Sequence, residues 1–262
     1  MKKQNLSLLE NLIRPTDEKI FRTACDKLIL RAQHAKGVGT LGEKSIHAVL
    51  KYYYIPDERF HEIPIDRFVA DACKEGEIFE IQSRGFHLLK DKLDCFLKDH
   101  EVTVVYPIAG LKWLRFVDPE TGEIKPPRKS PKKGHPFDAL NELISIKKYL
   151  SDQKLHVIIC ILETEEYTIL DGYGKDRKKH ATRADKIPVN IIKEYAIDSP
   201  ADYINFLPDD IPDEFTTKDI AEAVHRPIYE AQALCSILSD LDLIEKIGNR
   251  NRYHLYTRKK EG

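Results

Sequence analysis

The 262-residue sequence predicts an α/β protein in which helices flank a mixed sheet. Three observations lead there. Residues 67–73 and 77–83 read as two strands joined through Glu75-Gly76, a dipeptide suited to a two-residue hairpin turn. Residues 86–100 then repeat apolar side chains at Phe86, Leu89, Leu93 and Phe96-Leu97, which is one face of a helix. Val102–Ile108 follows as an unbroken run of strand formers, the pattern of a strand buried on both faces. Strand, helix and buried strand in that order imply a right-handed crossover, with the last strand parallel to the one that carries Glu80.

Before this unit, helical periodicity covers residues 5–13 and 17–35, separated at Pro15-Thr16. Gly37-Val-Gly39 breaks the pattern ahead of a further helix over 41–54, with Leu41, Ile46, Leu50 and Tyr53 on one face, and a first strand at 60–65. After the buried strand comes a hairpin from Trp113–Val117 back to Ile124, turned through Asp118–Gly122. The proline- and lysine-rich stretch 125–134 is not expected to form regular structure. A helix over 137–150 and strands at 155–162 and 167–170 extend the same sheet.

From Phe215 the pattern changes. Thr216 can cap a short helix over 217–224, and His225-Arg226-Pro227 leads to a longer one with Ala231, Leu234-Cys235 and Leu238 on one face. Two apolar runs around a basic tip at Gly248–Arg252 complete the outline of a winged helix-turn-helix. The expected division is therefore an N-terminal helical segment (1–39), the α/β domain (40–197), and a linker with a winged helix-turn-helix domain (198–262).

Charge is balanced overall, 42 Lys+Arg against 43 Asp+Glu, but unevenly placed. Residues 112–133, 175–186 and 245–260 are locally basic, while 198–222 are acidic. The five cysteines are odd in number, widely spaced and without a C-x-x-C pair, so neither a disulfide framework nor a cysteine zinc site is indicated, and a reducing cytoplasm is expected. No apolar stretch is long enough for a signal peptide or a membrane span, so no membrane partner is expected.

With Glu75-Gly76 as the turn, cross-strand partners are set so that Cys73 faces Ile78 and Asp71 faces Glu80. Opposed side chains stand roughly 4.5–5.5 Å apart at Cβ, and like charges so placed destabilise a hairpin unless a cation sits between them. Gln82 falls on that same face. Glu43 and His47, four apart on the preceding helix, can both turn towards it.

In this order of elements, the chain resembles the PD-(D/E)XK nuclease superfamily, the restriction-endonuclease-like fold, over residues 41–108 and loosely to 171. The resemblance implies that Asp71 and Glu80, with the Ile81 carbonyl, hold Mg²⁺ or Mn²⁺, that Glu43 is an extra acidic residue, and that phosphodiester bonds are hydrolysed. The departure is Gln82 where the family usually has Lys. Lys90 or Lys92 on the next helix, or Arg84, are candidate replacements for that cation. DNA, or else RNA, is the expected partner, held by Lys125, Arg128, Lys129, Lys132 and Lys133, by Arg177–Lys179, and by Arg250 and Arg252 at the wing tip. Gln82 keeps open a non-catalytic nucleic-acid binder. The weakly basic recognition helix keeps open a protein-contact scaffold or homodimer.

Overall fold

The computed structural model describes residues 6–34, 42–171 and 182–259. Its centre is an eight-stranded mixed sheet. In chain order the elements are β1 (Ile13–Arg14), α1 (Glu18–His34), α2 (Gly42–Tyr54), β2 (His61–Ile65), β3 (Phe68–Lys74), β4 (Glu77–Ile81), α3 (Lys90–Phe96), β5 (Glu101–Val117), β6 (Arg128–Lys129), α4 (Leu140–Leu143), β7 (Leu155–Ile169) and β8 (Thr182–Ile197). The sheet runs β1-β8-β7-β5-β4-β3-β2, with β6 paired to β5 as well. β4, β5 and β7 are parallel neighbours; every other pairing is antiparallel. The parallel pairing of β4 with β5, with α3 between them in the chain, is as the sequence predicts.

Both faces of the sheet are covered, which is why β5 and β7 are apolar without alternation. On one face, Phe21 and Ala24 of α1 and Ile46, Val49 and Leu50 of α2 pack on Ile81, Val105, Ile158 and Cys160. On the other, Leu93 and Phe96 of α3 and Leu140 and Leu143 of α4 cover Ile78, Val102, Val104 and Val157.

Several boundaries differ from the sequence reading. Residues 6–12 form a 3-10 helix with a non-helical Leu9, and Ile13–Arg14 leave it to become an edge strand on β8. The expected helix at 86–100 is a 3-10 turn (Phe86–Leu89) followed by α3, and that at 137–150 is α4 between two 3-10 segments. The strands expected at 102–108 and 113–117 are one strand, as are those at 155–162 and 167–170, because β5 and β7 pair from Val102–Leu155 to Val117–Ile169 with a single register shift between Ala109 and Leu111. The stretch 125–134 is not wholly irregular: Arg128 pairs with Leu114 and Lys129 with Trp113. β8, sixteen residues long, was not anticipated at all.

The C-terminal unit comprises β9 (Glu214–Thr216), α5 (Thr217–Ala223), α6 (Ile228–Asp240), β10 (Ile244–Arg250) and β11 (Tyr253–Arg258), with sheet order β10-β11-β9. Thr216 caps α5 in a reciprocal capping box with Asp219. Leu234, Cys235 and Leu238 of α6 belong to the same apolar cluster as the α3 face of the large sheet. Arg226 ties the two parts together through Asp138 and Glu230. Among the described residues no helix is long and apolar enough to cross a membrane. The five cysteines are free thiols.

Candidate active site and nucleic-acid surface

The β3–β4 hairpin turns through Glu75 and Gly76, both at positive φ (54° and 91°), the backbone a two-residue turn with the strands' own twist requires. The register follows: Cys73 lies opposite Ile78 and Ala72 opposite Phe79. Beyond Ala72–Phe79 side chains replace the backbone ladder. The Asp71 N–H donates to Glu80 Oε1 at 3.1 Å, and the Ile81 N–H donates to Asp71 Oδ2 at 2.8 Å. Each carboxylate thus satisfies a backbone donor belonging to the other strand, and two acids are fixed side by side.

The pair is held from both layers. Lys92 on α3 donates to Glu80 Oε2 at 2.7 Å, while His47 Nδ1 on α2 stands 4.0 Å from Asp71 Oδ2. Glu80 is buried, only 3% exposed. Burial, and then the neighbouring Asp71 carboxylate, push its carboxyl up to about 7 against the opposing pull of Lys92. Carboxylates crowded in this way are the donor set a hard divalent cation takes, since the ion relieves both the repulsion and the desolvation. The site also lies at the C-terminal end of β4 beside parallel β5, where open α/β sheets bind ligands.

The remaining expected residues are placed as follows. Gln82 continues from β4, its N–H bonded to the Val105 carbonyl at 2.9 Å and its side-chain amide donating to the Arg84 carbonyl at 2.5 Å. Glu43 lies on the first turn of α2, but its side chain is outside the described residues, as are Arg177, Lys178 and Lys179 altogether. Among the described residues no three His, Cys, Asp or Glu side chains form a group able to hold a metal ion. Lys129, Lys132 and Lys133 are exposed on the segment that runs along β5. Arg250 and Arg252 lie at the β10–β11 tip, and Arg250, still exposed, bonds to Asp219 at 3.3 Å and to the Glu214 carbonyl at 3.1 Å. Arg252 rests on the Tyr253 ring.

Sequence reasoning missed other buried acids, among them Glu194 on β8. It is fully buried and accepts from Tyr54 Oη, with Tyr53 Oη and Arg14 Nε each at 3.5 Å. This group pins α2 and β1 to the sheet. The alternation of Ile187, Val189, Ile191, Tyr195 and Ile197 was the signal that would have revealed the strand.

An α/β sheet protein with an acidic pair at the end of a parallel strand is the class these features define. Residues 44–198 match the family model described as "Domain of unknown function (DUF8091)", and the chain belongs to that family. A protein of Treponema pallidum (strain Nichols), described as "Uncharacterized protein", is 26% identical over 186 residues, 71% of this chain and 74% of its own length. No solved structure matches the chain.

Proposed function

We propose that this protein is a divalent-metal-dependent nuclease with a restriction-endonuclease-like core, in which Asp71 and Glu80, with the Ile81 carbonyl, hold Mg²⁺ or Mn²⁺. The observation that carries the reading is the reciprocal bonding of the Asp71 and Glu80 carboxylates to each other's strands, with Lys92 on the same buried acid. When bound, the ion supplies Lewis acidity at the phosphate and a more acidic water. The protein's own part is positional and electrostatic. Asp71 is locked by the Ile81 N–H, and Lys92 favours the ionised form of Glu80 that a cation needs. Lys92 also brings the positive charge that Gln82 lacks to within reach of a phosphate seated against Glu80, where charge accumulates as the P–O bond breaks.

Cleavage of DNA and RNA substrates by the full chain, with Mg²⁺, with Mn²⁺ and with excess chelator, tests this against the Asp71→Asn protein. Metal-dependent cleavage lost in the variant supports the reading. Cleavage that survives chelation, or that Asp71→Asn leaves intact, overturns it.

A second reading, a non-catalytic nucleic-acid binder, draws on the Gln82 amide, which is directed to the Arg84 carbonyl rather than to the acids. Binding without turnover under every metal condition favours it.

For the C-terminal unit we read a winged helix whose role is protein contact, with a partner protein or a second copy of this chain. Residues 198–262 carry thirteen Asp+Glu against eight Lys+Arg, and Arg250 is neutralised by Asp219; both work against a DNA-binding wing.

A further inference from the structure

The basic segment 125–134 is docked on the edge of β5 that β4 leaves open. β4 accompanies β5 only as far as Val105, where the Gln82 N–H ends the pairing. Further along, Gly134 N–H bonds to the Ala109 carbonyl, Ser130 N–H to Lys112, and Lys125 N–H to Phe116, with β6 between the last two. Gly134 is needed for this approach, because a Cβ there would overlap the Ile108 side chain. From Val105 to Ala109 is four residues, or about 13 Å of strand, and from Ala109 to Phe116 about 23 Å more. The segment therefore takes over the side of β5 that β4, the strand of Glu80, occupies as far as Val105.

Neighbouring cations on the strands are neutralised: Lys112 by Glu166 at 3.1 Å and Arg115 by Glu165 at 2.6 Å. The segment differs. Its five cations, Lys125, Arg128, Lys129, Lys132 and Lys133, have no acid among them in sequence, are exposed, and form no ion pair among the described residues. Lys125 lies near enough to Asp118 to favour its carboxylate, but the other four are like charges without an ion-pair partner on an anchored backbone; they repel one another, and a polyanion removes that cost. The 23 Å reach matches about seven phosphates of one DNA strand at 3.4 Å each.

We infer that residues 125–134 form a phosphate-backbone track that leads one strand of a nucleic acid along the β5 edge to Asp71 and Glu80. The inference deepens the nuclease reading and rests on it for the direction of travel, whereas binding itself is independent of cleavage.

Trp113, the chain's one tryptophan, lies under Lys129, whose Nζ is 5.8 Å from the ring centroid, so its emission reports on the track. Titrating the full chain in chelator with short DNA and RNA oligonucleotides should change Trp113 fluorescence in a saturable, salt-dependent way. Replacing Arg128, Lys129, Lys132 and Lys133 together by Gln should weaken binding about 100-fold and flatten the slope of log affinity against log salt by about 3, with the thermal melt unchanged. Unchanged affinity and slope in that variant overturn the track, as does polyglutamate binding as tightly as the oligonucleotides. The failures are separable: binding by wild type without metal-dependent cleavage sinks the nuclease reading and leaves the track, while cleavage with unchanged KM in the four-fold variant sinks the track and leaves the nuclease.

Discussion

Lys92 Nζ meets Glu80 Oε2 at 2.7 Å, so a helix on one layer supplies the cation that the strand position of Gln82 lacks. The ion pair is largely buried, Glu80 being 4% and Lys92 25% exposed at the side chain. Removing Lys92 leaves the buried Glu80 carboxylate uncompensated, whereas Lys92 itself keeps contact with solvent.

Lys92→Met should therefore abolish metal-dependent cleavage and lower stability at pH 8 by about 2 kcal/mol, smaller than for a fully dry pair because Lys92 is partly solvated. Chemical denaturation at pH 8 and pH 5 checks it, since protonation of Glu80 at the lower pH removes most of the loss.

Glu80 also predicts a pH effect in the wild type. Its carboxyl is raised from 4.5 to about 7, so between those values the folded state binds more protons than the unfolded one. Stability contributed by this group is then present below about pH 4.5 and is lost as pH rises through 7. Glu80→Gln should melt higher than wild type at pH 8 and no differently at pH 5. An equal difference at both pH values would contradict the assignment.

Metal binding runs the other way. Protons compete with the cation for Glu80, so the rise in melting temperature produced by Mg²⁺ should be larger at pH 8 than at pH 6. Asp71→Asn should abolish that rise while the chain stays folded, because the amide oxygen still accepts the Ile81 N–H. Asp71→Ala leaves that donor without an acceptor and should cost about 1–3 kcal/mol.

Gln82→Ala should reduce turnover less than Lys92→Met does, since the Gln82 amide serves the local Arg84 carbonyl. Single-turnover rates for the two proteins, measured side by side, decide whether the helix or the strand provides the working polar group.

At the other end of the chain, Arg250→Ala should destabilise the C-terminal unit modestly and leave the salt dependence of nucleic-acid binding unchanged, because its guanidinium is spent on Asp219 and Glu214. A flattened salt slope would return the wing to the nucleic-acid surface.

Local chemistry made much of this legible. Glu75-Gly76 set the hairpin register because a two-residue turn leaves no slack, and Thr216 marked the start of α5 because its side chain can cap the first turn; the reciprocal bond from Asp219 came from the structure. Element lengths were less legible. The single strand at β5 and the strand character of Arg128–Lys129 depend on which backbone partners arrive from elsewhere in the chain.

By itself, then, the sequence determined the helix, three-strand, helix, strand order and the opposition of Asp71 and Glu80, since turn geometry and the two-residue period of a strand are local properties. Only the tertiary structure decided that Lys92 reaches Glu80, that Arg250 pairs with Asp219, that Glu194 is buried beneath Tyr54, and that the basic segment pairs with β5 beyond the end of β4. Those contacts join residues far apart in the chain, and which long side chain meets which acid is settled by the packing of layers.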